Sequence, residues 1–73
     1  MKLTKQEQTV IIGKLINNIL GVELVKEHID LQKLEKAVAM HNIMNDDMTP
    51  RETREALISV LGKAIDEFLE NKE

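Results

Sequence analysis

The run Thr49-Pro50-Arg51-Glu52 stacks three helix-start signals on four consecutive residues. The Thr49 hydroxyl is placed to accept a hydrogen bond from an otherwise orphan backbone N–H. Pro50 falls at the first helical position, where its missing N–H is no loss and its φ is already helical. Glu52 stands three residues after Thr49 and completes a capping box. The spacing predicts a helix from Pro50 to about Asn71.

At about 100° per residue, Leu57, Val60, Leu61, Ala64, Ile65 and Phe68 share one face of that helix, and Ile58 and Leu69 widen it. Glu52, Glu55, Ser59, Lys63, Asp66, Glu67 and Glu70 fall opposite. The apolar stripe covers roughly half the circumference, wider than the stripe of a typical surface helix. It is wide enough to meet two helices of its own chain, or one helix and a second molecule. Gly62 lies within it, and a glycine in a helix interior costs about 1 kcal/mol against alanine. That points to another helix approaching closely at Gly62.

Seventy-three residues make one domain, 1–73. A chain of this size buries only about 60% of the surface its unfolded form exposes. The sequence has no Cys, which excludes disulfides, Cys-based zinc sites and thiol chemistry. Tight helix packing or oligomerisation has to supply the stability instead. The hydrophobic share of 42% is enough to fold. The net charge of −3 is the wrong sign for a strong phosphate-binding surface. No stretch reaches the roughly 18 apolar residues of a membrane span. Lys14, Asn17 and Asn18 interrupt the most apolar run, Val10–Val22. The expectation is a cytoplasmic protein that needs no membrane and no cofactor.

Thr4-Lys5-Gln6-Glu7 is a second capping box and opens a helix predicted over residues 5 to about 20. Ile11, Ile12, Leu15, Ile16, Ile19, Leu20 and Val22 line one face of it. Continued straight, that helix would put Glu23 and Lys26 in the middle of the stripe. Val22, Val25 and Ile29 define a stripe rotated by roughly a quarter turn, so a bend at Gly21 is expected, followed by a helical segment to about residue 28. Asp30 is the next N-cap, for a helix from Leu31 to about Met44. Its main apolar face holds Leu31, Leu34, Ala37, Val38, His41 and Met44, with Ala39, Met40 and Ile43 on the other side.

Catalytic chemistry has little to stand on. Ser59 is the only serine, and no Ser-His-acid set or Gly-rich phosphate loop occurs. His28 and His41 have no metal-helix spacing, and Asn45-Asp46-Asp47 lacks the alternation and closing Glu of a calcium loop. No metal site is expected, and the chain reads as not an enzyme. His41 reads as a hydrogen-bonded core residue. Met40, Met44 and Met48 follow an i, i+4, i+8 row, which suits either gap-filling or an adaptable protein-binding surface.

The resulting expectation is all-α: a three- to four-helix bundle, with a helical hairpin plus a kinked N-terminal helix. Dimerisation is expected through the wide face of the last helix and the Met40/Ile43 patch. The leading function is a small regulatory protein that binds and modulates a protein partner through an apolar helical face, with Met40, Ile43, Met44, Ile58 and Leu69 as contacts. The alternative is a dimeric DNA- or RNA-binding regulator that uses Lys2, Lys5, Lys14, Arg51 and Arg54. Residues 1–29 carry four lysines against three glutamates and are the less acidic part of the chain. Glu52 and Glu55 interleave with the two arginines and oppose phosphate binding.

Overall fold

A computed structural model describes residues 1–70 of the chain. Every regular element among them is helical. α1 spans Lys5–Lys14 and runs without a break into a π-helical segment, Leu15–Leu20. α2 spans Val22–His28, α3 Leu31–Asp46 and α4 Pro50–Glu70. The expected end of the last helix at Asn71 lies outside the described residues.

The helix starts form as the capping chemistry dictates. Thr4 Oγ1 accepts from Glu7 N–H at 3.1 Å, and Glu7 Oε1 accepts from Thr4 N–H at 2.7 Å. Asp30 Oδ2 accepts from Lys33 N–H at 3.1 Å and opens α3. The Thr49 and Glu52 pair repeats the reciprocal pattern at 3.1 and 2.9 Å. α3 runs to Asp46, two residues past the expected Met44, before Asp47 N–H and Met48 N–H close the turn on Met44 and Asn45 carbonyls.

The break at Gly21 is where the stripe rotation places it. Gly21 has φ +84° and ψ 147°, a conformation essentially reserved for glycine. The axes before and after it differ by 106°. The six residues before the break are π-helical rather than α-helical. Their i→i+5 bonding gives no sequence signature, so the periodicity predicted an ordinary helix there.

α1 is the central element. α3 and α4 each pack on α1, and α2 is carried by the π segment. The expected hairpin is therefore not the main packing unit, because α3 and α4 take their contacts from α1 rather than from each other. The apolar core draws one residue from each helix: Val10, Val25, Leu34 and Ala56. At Gly13 of α1 the His41 ring of α3 occupies the space a Cβ would need. His41 is half-buried there, and its Nδ1 lies 3.3 Å from Asn42 Oδ1. Gly62 behaves differently from the expectation. Among the described residues, nothing outside its own stretch of helix lies within 4 Å of a Cβ built at Gly62, so the close approach predicted there is not made by these helices.

Much apolar surface stays uncovered. Of the stripe predicted for the first helix, Ile11, Ile12 and Ile16 are half-buried, whereas Leu15, Ile19, Leu20 and Val22 are exposed. The most deeply buried positions of α1 are Glu7, Thr9 and Val10. Thr9 satisfies its hydroxyl on the Lys5 carbonyl at 2.8 Å.

Gly21→Ala tests the bend. A Cβ at this φ and ψ costs about 1–3 kcal/mol, and chemical denaturation followed by far-UV circular dichroism should show that loss. An unchanged midpoint would mean that the chain folds equally well without the turn.

Candidate protein-docking surfaces

The packing of α4 is set by one carboxylate. Glu7 is buried, and its Oε2 accepts from Ser59 Oγ at 2.5 Å. Its Oε1 accepts from Lys63 Nζ at 2.6 Å as well as from Thr4 N–H. Lys63 Nζ also donates to the Lys2 carbonyl at 2.9 Å. One turn further on, Glu67 pairs with the N-terminal ammonium of Met1 at 2.8 Å. Ser59, Lys63 and Glu67 thus form an i, i+4, i+8 row that faces α1 and the segment before it. Lys63, then Ser59, then the Thr4 N–H hold the Glu7 carboxyl at about 2, well below its usual 4.5.

α4 is rolled away from the orientation expected for it. Ser59, Lys63 and Glu67, expected on the solvated side, make polar contacts with α1 and the segment before it, while Glu55, Asp66 and Glu70 of the same side stay exposed. The expectation left the wide apolar side to meet helices of its own chain or a second molecule. A bonded buried carboxylate sets the roll, since leaving Glu7 unpaired in the interior would be costly. Ala56 is buried beside the clamp, and Leu57, Val60 and Ala64 are half-buried at its edge.

With that side turned inward, the helical period sends the aliphatic side outward. Ile58, Leu61, Ile65 and Leu69 are 62, 59, 46 and 68% exposed, with Phe68 at the edge of the same stripe at 77%. They recur at i, i+3, i+7 and i+11, a continuous row about 17 Å long. Glu55 and Asp66 flank it and are exposed.

A second apolar surface is concave. The π segment, α2 and α3 enclose a groove of about 580 Å³ lined by Ile12, Leu15, Ile16, Leu20, Leu24, Val25, Ile29, Leu34 and Ala37. Among the described residues its polar neighbours are His28 and Lys33. The groove exists because the chain turns through 106° at Gly21 and cannot fold α2 back onto α1.

Of the residues singled out from the sequence, Ile58 and Leu69 fall together on the α4 stripe. Met40 and Ile43 are exposed on a different helix, α3, with Met40 beside Lys5, Gln8 and Thr9 of α1. Met44 is half-buried. The basic residues divide between two ends of α1. Lys2 and Lys5 stand at its start, while Lys14 shares a polar hollow with Thr53 near Arg51 and Arg54. Arg51 lies 3.9 Å from Glu55 on the exposed surface.

The periodicity puts Leu20 and Ile29 on apolar stripes but does not bring them together with Leu24 in a groove, and it gives Glu7 no contact with α4. Glu7 was legible only as a capping residue, and its second role depends on which side of α4 arrives. Among the described residues, no group of three or more His, Asp or Glu side chains could hold a metal ion. Among the described residues, no single helix is long and apolar enough to cross a membrane. No family model, curated protein or solved structure matches the chain at a significant level.

The clamp makes stability pH-dependent with a defined sign. A carboxylate whose folded value is depressed contributes fully above its unfolded value and loses that contribution as pH falls towards the folded one. For Glu7 the window runs from about 4.5 down to about 2. Glu7→Gln should lower the thermal midpoint at neutral pH and flatten its fall across that window. A variant that melts like the parent at both pH 7 and pH 3 would remove Glu7 from its role as the clamp.

Proposed function

We propose that this chain is a small non-enzymatic regulatory protein that modulates a protein partner by docking the apolar stripe of α4 on it, and that it works as a homodimer. A cytoplasmic setting belongs to the same reading. The observation that carries it is the orientation of α4, which spends its polar row on α1 and turns Ile58, Leu61, Ile65 and Leu69 to the outside. Apolar anchors at this spacing on one helical face are the form taken by helices that seat in a partner's groove.

Magnitudes say what the partner must provide. Four aliphatic anchors, each already partly covered, gain roughly 4–7 kcal/mol on burial. Association costs about 4–15 kcal/mol in lost freedom. A flat apolar patch opposite the stripe therefore holds it weakly. A concave receptor that also covers Phe68 and meets the acidic flank of Glu55 and Asp66 holds it firmly.

The test is retention of partners by the tagged full chain from its native cell lysate, after nuclease treatment. Ile58→Asp and Leu69→Asp each put a charge into the docked face, so binding of the retained protein should weaken at least about 30-fold. Both positions are exposed, so far-UV circular dichroism should be unchanged. Partners that vanish with nuclease, and binding that falls steeply with salt, would instead promote Lys14, Arg51 and Arg54.

A further inference from the structure

We infer that the α4 stripe is received by a second copy of this chain: the stripe of each copy seats in the groove that the π segment, α2 and α3 form on the other. The inference rests on the reading of the stripe as a docking face and names what covers it until a modulated partner takes that place.

The two surfaces answer each other in shape. One is a convex row of Ile58, Leu61, Ile65 and Leu69; the other is a concave apolar trough of about 580 Å³. The chain cannot bring them together by itself. Glu7, Ser59 and Lys63 pin α4 to α1 with the stripe facing away. Contact between the two surfaces therefore has to be intermolecular.

Charge favours the same pairing. The groove's polar neighbours are Lys33 and His28, both exposed, while the stripe is flanked by Glu55 and Asp66. A stripe in a groove brings acids to a basic rim.

Two seats bury more surface than one. At the roughly 200 Å² that a large apolar residue can bury, the exposed fractions of the stripe and Phe68 amount to about 600 Å². A standard interface buries about 800 Å² on each partner, polar rim included. Reciprocal seating uses both the stripe and the groove of each copy, and it closes with two-fold symmetry instead of propagating into a filament. Gly62, at the edge of the stripe with open space around it, leaves room for that close approach.

Sedimentation equilibrium of the full chain reads the mass directly, as 8.3 kDa or twice that. The wild type should be a dimer. Ile65→Asp in the stripe and Leu24→Asp in the groove should each weaken the dimer at least about 100-fold. Mixed one to one, the two variants should associate at least about tenfold more tightly than either alone, because one carries an intact groove and the other an intact stripe. Leu69→Asp and Leu20→Asp serve as second choices if either first variant loses its helical circular dichroism.

A monomeric wild type at all concentrations would overturn the inference, as would a monomer carrying an apolar small molecule in native mass spectrometry. So would a dimer broken by Ile65→Asp and untouched by Leu24→Asp, since that pattern means stripe against stripe. If the wild type is monomeric but Ile65→Asp loses its lysate partner, the occupant is wrong and the docking face stands. If Ile65→Asp changes neither mass nor capture, the docking face falls as well.

Discussion

The arrangement of these helices depends on the satisfaction of one buried carboxylate. Glu7 collects the Ser59 hydroxyl, the Lys63 ammonium and the Thr4 amide, and it is buried only because all three are present. Its bond to Thr4 belongs to the helix start, so the group that caps α1 also orients α4. Charged hydrogen bonds of this kind are shorter and roughly twice as strong as neutral ones. They also have direction, which aliphatic packing lacks. A slide or roll of α4 by one residue would break the set, whereas an apolar contact would merely change partners.

That directional contact costs apolar burial. With Ser59 and Lys63 bonded to Glu7, α4 contributes Ala56 to the buried core. The bend at Gly21 has a parallel effect at the other end of the chain, where it holds the π segment, α2 and α3 apart and leaves a trough instead of a filled core. A single chain of this length has little hydrophobic stabilisation to spare. Two unfilled apolar surfaces in it therefore bear on what the protein does with other molecules. The proposed function and the proposed dimer both take the exposed stripe as their starting point.

Local chemistry was the readable part of the fold. The capping boxes at Thr4 and Thr49, the Asp30 cap and the break at Gly21 each rest on interactions within four residues, and all were legible as they stand. The all-α class followed from the same local signals. Ile58 and Leu69 could be placed on one helix face from periodicity. The π segment could not be foreseen, because Leu15–Leu20 would serve equally well in an α-helix. The groove was invisible for the same reason: its walls come from three elements whose relative angle depends on that segment and on Gly21. Gly13 was passed over, since nothing near it in the sequence announces the His41 ring.

By itself the sequence determined where helices start, where one of them breaks, and which residues share a face, because these follow from hydrogen bonds and angles within one or two turns. Only the tertiary structure decided which face of α4 points inward. An amphipathic pattern assigns an apolar side and a polar side, and the ordinary expectation buries the apolar one. A partner group 52 residues away in the chain rolled the helix off that alignment through Ser59. No local rule contains that roll, because its cause is the cost of leaving Glu7 unpaired once α1 and α4 have met.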